Sequence, residues 1–353
     1  MADSYIMFKY SSFISYLQRH PKYITHFFCD LCHVYWRKIN GDMIIVITTE
    51  SEGLGGYLWI RNYYRIIRES VAPKRCCIIL AGMANWSDFV SQIDADLIDI
   101  YRPFESCDQP KKIESSFFRL FTANIFINFR TILQAHLVKA DKYIYGQGAY
   151  RRHCFYEEAN NETIRQLLPL PENFKHTLPL FPVADIRKQF LNQPYVVVVE
   201  KGNTQGTFSD IQLKSIIEYL VSVGYTIFFN GSIKRALQLT PESIHPRIID
   251  GYQYPIREYA YVMSHTALVV TPNTLLYHYA VQLNTPCVVV SVNDYYTIKQ
   301  GVPNQIAIYN PELEKVITEG TLETYAPNLD LSIKDISVKD ILSAIRLLVE
   351  DIN

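Results

Sequence analysis

The segment Tyr195-Val196-Val197-Val198-Val199-Glu200 decides the fold. An apolar run without polar alternation describes a strand buried on both faces, the habit of parallel sheets covered by helices on each side. The same pattern recurs downstream in YTIFFNG (225–231), RIIDG (247–251), ALVVT (267–271) and PCVVVSV (286–292). Helical stretches separate these runs: SDIQLKSIIEYLVSVG, KRALQLT, PIREYAYVMSH and LLYHYAVQLN. Alternating strands and helices predict a doubly wound α/β sheet, and such sheets bind ligands at the carboxyl ends of their strands.

The first half repeats the pattern less cleanly. MIIVITT (43–49) reads as a buried strand and ESEGLGGYLWIRNYYRIIRES (50–70) as a loop opening into a helix. RCCIILAG (75–82) and the weaker DLIDIYR (96–102) follow as strands. Residues 113–140 carry a helical pattern, and DKYIYGQG (141–148) a short strand. Ahead of all this, residues 4–39 read as two aromatic-rich helices broken at His20-Pro21, and residues 337–353 as a closing helix opened by a Ser337/Asp340 capping box. The stretch at 167–185, with prolines at 169, 171, 179 and 182, suits an extended connector. The expected organisation is a helical extension (1–40), a first α/β domain (41–182) and a second (183–353) with the C-terminal helix. The length of 353 residues agrees, at roughly 100–200 residues per domain.

Composition excludes some functions. With 34 basic and 35 acidic residues there is no overall electrostatic drive toward nucleic acid. No apolar run reaches the roughly 18 residues that span a bilayer, and the N-terminus lacks a signal-peptide pattern. A cytoplasmic protein with reduced thiols is expected, and its 7 cysteines show no regular disulfide spacing. The aromatic N-terminal helices, with basic ends, are candidates for peripheral contact with a membrane or with a second copy of the chain. Cys29-Asp30-Leu31-Cys32-His33 has CxxC spacing, but no second pair completes a zinc set, so no metal is expected.

Three strand-end loops carry candidate chemistry. After YVVVVE come Lys201, Gly202, Asn203, Thr204 and Thr207, ahead of a helix that Ser209 or Asp210 would cap. Glycines for close approach, hydroxyls and a lysine before a helix N-terminus suit a phosphate or diphosphate. Gly231 ends the next strand. After ALVVT come Asn273, Thr274 and, one helical turn later, His278, which share one face of the helix start. In the first half, Gly53, Gly55 and Gly56 follow Glu50 and Glu52 at a strand end, a loop that a ligand or an opposing domain can approach closely.

Together these motifs resemble the heptosyltransferases, glycosyltransferase family 9, over roughly residues 41–300 and most closely over 195–294. That family places a D-[ST]-G-x-x-H-like helix start after a strand, then an L-x-x-P-V-V strand. Here Asn273-Thr274-Leu275-Leu276-Tyr277-His278 precedes LNTPCVVVSVND. The Lys201-Gly202-Asn203 and Thr207-Phe208 stretch stands where the family opens its donor domain, and Leu54-Gly55-Gly56 where it carries L-G-D in its acceptor domain.

The resemblance implies two facing Rossmann-like domains of GT-B type. It also implies a metal-independent transferase needing no cofactor, which moves a sugar from a nucleotide-diphosphate donor to a bacterial surface glycan or a lipid-linked, lipopolysaccharide-type saccharide. Lys201, Gly202, Asn203, Thr204, Thr207, Gly231, Asn273, Thr274 and His278 would bind the donor, and Gly53, Gly55 and Gly56 would line the acceptor loop. Gly56 replaces the family's acidic residue, which leaves Glu52 as the candidate base. With Asn273 also replacing an acid, the alternative is a catalytically silent protein of the same fold that binds a nucleotide sugar or glycan.

Overall fold

The computed structural model describes residues 21–48, 54–71, 75–83, 90, 94–104, 117–129, 138–146, 155–170, 174, 193–202, 206–254, 256–292, 298–299, 301–319 and 331–350. The chain divides into two compact units. The first comprises Met1–Glu52, Tyr63–Gln147 and Glu162–Pro171, and the second Gly53–Asn62, Gly148–Asn161 and Glu172–Asn353.

In the first unit, helix α1 (Pro21–Ile39) leads into strand β1 (Met43–Thr48). Helix α2 (Leu54–Val71) follows, its residues up to Asn62 belonging to the second unit, then β2 (Cys76–Met83), β3 (Ile100–Phe104), β4 (Thr122–Asn128) and β5 (Lys139–Tyr145). The strands are all parallel, in the order β3-β2-β1-β4-β5. The strand order therefore reverses beside β1, the arrangement that opens a crevice at the strand ends. Helix α1 packs Phe27 and Val34 onto Ile44, Val46, Cys77 and Ile79, alongside Phe117, Phe118 and Phe121.

Two local expectations are corrected in this unit. The helical reading of 113–140 fails at Thr122–Asn128, where TANIFIN is a strand paired with both β1 and β5. Its Thr, Ile and Phe residues suit a strand, and a place between two ladders overrides the mixed apolar period. The third strand starts only at Ile100, because the N–H groups of Leu97 and Ile98 turn back to the Asp94 carbonyl.

After α3 (Tyr156–Arg165), the second unit runs through β6 (Tyr195–Val199) and a two-residue antiparallel ladder, β7 (Lys201–Gly202) with β8 (Gly206–Thr207). Then come α4 (Asp210–Ser222), β9 (Thr226–Asn230), α5 (Ile233–Leu239), β10 (Ile248–Asp250) and α6 (Ile256–His265). The unit is completed by β11 (Leu268–Pro272), α7 (Leu275–Leu283), β12 (Cys287–Ser291), β13 (Gln305–Tyr309), α8 (Pro311–Thr318) and α9 (Val338–Glu350). The sheet order is β10-β9-β6-β11-β12-β13, every neighbour parallel. Numbered within the unit this is 3-2-1-4-5-6, the Rossmann order.

Every residue of β6 is buried. Val196 and Val198 meet Leu213, Ile216 and Ile217 of α4 and Ile341 and Ile345 of α9 in one core. β13 and α8 are not expected from the sequence, since the apolar run of QIAIY is short and belongs to a half-buried edge strand. At α9, the Asp340 N–H donates to Ser337 Oγ at 3.0 Å, one half of the expected capping box. None of the described helices is long and apolar enough to cross a membrane.

A buried ion pair fixes α1 to its sheet. Arg102, 2% exposed, donates to Asp30 Oδ2 at 2.7 Å and lies 4.6 Å from the Phe117 ring centroid. Burial lowers the Arg102 pKa despite the Asp30 carboxylate, so the guanidinium depends on that partner. Asp30→Ala is expected to cost about 2 kcal/mol, less than a fully buried pair because the Asp30 side chain is 28% exposed. Urea unfolding of the variant, with an unchanged m-value, checks this.

Candidate functional site

The topological switch point of the second sheet lies between β6 and β11. Apolar side chains fill both faces of these strands, so polar groups collect where the strands end. At β6 the first such group is Glu200. Its carboxylate, 5% exposed, accepts the Ser232 N–H and an Arg235 Nη1 proton, each at 2.5 Å. Arg235 also donates to Asp210 Oδ1 at 2.6 Å and to the Phe208 carbonyl at 2.8 Å. Burial disfavours the Arg235 charge, but the Glu200 and Asp210 carboxylates outweigh it and raise the pKa. The network staples the loop after β6 to the start of α5.

Gly231 belongs to this staple. A Cβ there would fall 2.4 Å from Glu200 Cβ and 2.5 Å from Oε2, so glycine is required by a carboxylate of the chain itself. Lys201 is exposed and Gly202 buried, paired with Thr207 and Gly206, and β7 lies against β11. Asn203 and Thr204 lie outside the described residues, as do Glu52 and Gly53.

The helices that start at this edge differ. At α4, Ser209 accepts from the Gln212 N–H and Gln212 returns a bond to the Ser209 N–H, a closed capping box. At α7, Thr274 is the N-cap and makes no side-chain capping bond. Its Oγ1 lies 2.9 Å from Thr271 Oγ1, and the Asn273 N–H donates to the Val290 carbonyl at 3.1 Å. The first-turn N–H groups of α7 have no intrahelical acceptor and carry the positive end of the helix dipole. Such a helix start attracts negative charge.

His278, one turn into α7, is 4% exposed. Its Nδ1 accepts the Trp59 indole N–H at 3.1 Å, which requires the neutral imidazole with the proton on Nε2. Burial pushes its pKa down to about 3. At Gly55, a Cβ would fall 2.1 Å from His278 Cδ2 and 2.6 Å from Nε2. The group that closely approaches this glycine is thus the imidazole. Of Gly56 only its place in α2 is described.

Trp59 packs edge-on to Phe155 at 4.8 Å. Lys299 Nζ lies 5.4 Å from the Trp59 ring centroid and forms an ion pair with Glu157. The Lys299 N–H in turn donates to Tyr277 Oη at 2.7 Å. The Trp59, Phe155 and Lys299 contributions were missed in the sequence because three remote segments meet there. Gly55 was its one visible sign.

No family profile and no curated protein matches the sequence. Solved structures share its fold. A glycosyl transferase family 9 protein from Veillonella parvula superposes with a TM-score of 0.61 at 13% identity, covering 88% of this chain and 98% of that one. E. coli ADP-heptose lps heptosyltransferase II gives 0.60 at 13%, covering 88% and 99%. The iron-containing dodecameric glycosyltransferase TibC from enterotoxigenic E. coli gives 0.51 at 11%, covering 88% and 77%. The two Rossmann-like sheets and leading helix are those of a GT-B-type fold.

The expectation that no metal or cofactor is involved is corrected. His33, Cys77 and Asp99 of the first unit each offer a ligand atom within 4.8 Å of the others, a group able to hold a metal ion. The sequence reading failed because it sought the remaining ligands in a second CxxC. Among the described residues the partners of His33 come instead from β2 and the turn before β3.

Two tests follow from the buried imidazole. A histidine held neutral when folded and protonated when unfolded confers full stability above its unfolded pKa of about 6.5, lost progressively as pH falls toward 3. The loss by pH 5 is about 2 kcal/mol. His278→Asn, which keeps an acceptor but does not titrate, is expected to flatten this dependence in urea midpoints measured from pH 8 to pH 5. Gly55→Ala is expected to destabilise by about 1–3 kcal/mol through overpacking, against the gain alanine normally brings to a helix. Combined with His278→Ala the penalty should shrink, and strict additivity in the double-mutant cycle would dissociate the two sites.

Proposed function

We propose that the protein transfers a sugar from a nucleotide-diphosphate donor to a saccharide or glycolipid acceptor. The observation that carries this reading is the uncapped start of α7 at the switch point, with Lys201 and Gly202 on a ladder against β11. The donor diphosphate lies at the first turn of α7, held by backbone N–H groups with Asn273 and Thr274, and Lys201 supplies a compensating charge. Thr207, Asn203 and Thr204 complete the loop over the phosphates, and Gly202 allows its close approach.

His278 acts in this reading as a brace. Its ring fixes Trp59 and Gly55, so the helix start that receives the donor does not shift. Glu52 on the loop after β1 is the proposed base for the acceptor hydroxyl, with Gly53 and Gly56 along the acceptor and Gly55 taken up by His278. Support for the donor class comes from the shared fold, since one of the similar structures is named for ADP-heptose.

A second reading, a silent binder of the same ligand, is favoured by one specific feature. Glu200, the carboxylate at this strand edge, is committed to Arg235 and Ser232, and Gly56 and Asn273 stand where the family of resemblance carries acids.

Thermal unfolding with a panel of nucleoside diphosphates and their sugars, beginning with adenosine diphosphate, tests the donor site. A ligand at 100 times its dissociation constant stabilises by about 2.7 kcal/mol. Lys201→Ala should weaken the nucleotide that gives the shift by about 1–3 kcal/mol. No shift with any nucleotide would refute the donor site. Multiple turnovers lost in Glu52→Gln support the transferase, whereas binding without turnover selects the second reading.

A further inference from the structure

We propose that His33, Cys77 and Asp99 form a binding site for one zinc-class divalent cation that ties helix α1 to the amino-terminal edge of the first sheet. The three residues come from sequence-distant elements. His33 stands on α1, Cys77 at the start of β2, and Asp99 immediately before β3. Their ligand atoms all lie within 4.8 Å of one another. Bonds of about 2.0–2.3 Å to a tetrahedral ion place ligand atoms roughly 3.3–3.7 Å apart, so a contraction of about 1 Å completes the set.

A metal-free role explains only part of the cluster. Asp99 Oδ2 accepts from Arg68 at 2.6 Å and from the Ile78 N–H at 2.8 Å. Its other oxygen, Oδ1, has Arg37 Nη2 at 3.8 Å. That guanidinium is itself held by Asp42 at 2.6 Å and by the Cys76 carbonyl at 2.5 Å. Cys77 is fully buried and could be a core thiol alone. Among the described residues His33 Nε2 is buried with no hydrogen-bond partner, as are Thr48 Oγ1 and the Gln282 amide; of the three only His33 stands in the cluster, where a metal ion would supply the partner.

The donor set selects the ion. Thiolate and imidazole favour zinc or a neighbouring transition metal over magnesium or calcium, which take oxygen ligands. Coordination would displace the Cys77 thiol proton to solvent. Thiolate and carboxylate then face the dication, the carboxylate shared with Arg68, and water takes the fourth position.

Location assigns the role. In parallel sheets substrates bind at the carboxyl ends of the strands, whereas Cys77 and Asp99 lie at the amino ends of β2 and β3. A cation there cross-links α1, β2 and the turn before β3. It stabilises the fold by binding the folded chain in preference to the unfolded one.

The test uses the full chain, stripped of metal by a chelator under reducing conditions and titrated with Co2+. The expected result is one equivalent bound, with a thiolate-to-cobalt charge-transfer band that Zn2+ displaces. Zn2+ should also raise the unfolding temperature. Cys77→Ser should abolish the band, and His33→Gln should weaken binding at least tenfold and remove the Zn2+-dependent rise, whereas Cys29→Ser with Cys32→Ser should change neither. Because His33 is only partly buried, its variant carries the test if Cys77→Ser does not fold. Absence of the band in the wild type, or its survival in Cys77→Ser or at full affinity in His33→Gln, would overturn the site.

Discussion

The fold depends on strands buried from both sides. A parallel strand such as β6 gives its backbone groups to two neighbours and its side chains to two layers of helix, so no polar side chain fits along its length. Polar groups are expelled to the strand ends. There they satisfy one another or stand at the start of a helix. In the second unit this separates Glu200, locked into Arg235 and Ser232, from Asn273 and Thr274, which stand at a helix start with no side-chain cap.

The same constraint explains what was legible. Where a strand is central, as at YVVVVE, ALVVT and PCVVVSV, the sequence is a bare apolar run and the reading of fold class follows directly. Where a strand lies at an edge, as at QIAIY, the run is short and half-exposed and was not recognised. TANIFIN failed for a different reason. It lies in a wider apolar stretch whose spacing fits a helix, and only its pairing with β1 and β5 decides the matter. Tertiary pairing is not encoded in a local period.

The site was legible in its loops but not in its contacts. Reading Gly55 and His278 from separate motifs gave no reason to connect them, yet a single imidazole occupies the space that a side chain at Gly55 would need. Trp59 holds that imidazole from the next turn of the same helix, while Phe155 and Lys299 flank the indole. Glycine in a helix costs about 1 kcal/mol relative to alanine. Its presence here marks a packing requirement that outweighs propensity. Gly231 repeats the lesson, with the Glu200 carboxylate in place of the ring. A glycine at a helix start or just past a strand therefore signals close approach without saying by what, and in both described cases the approaching group belongs to the chain.

The amino edge of the first sheet follows the same logic with a different outcome. Asp99 and Cys77 are polar groups expelled from β3 and β2 toward the edge that parallel folds do not use for substrate, and α1 brings His33 to them. Charge explains Arg68 beside Asp99, and core packing explains Cys77, but neither supplies an acceptor or an ion for the His33 Nε2 buried among them. Something that accepts the lone pair of that ring nitrogen would complete the cluster. The chemistry of a thiol, an imidazole and a carboxylate within 4.8 Å identifies that something as a cation of the zinc class.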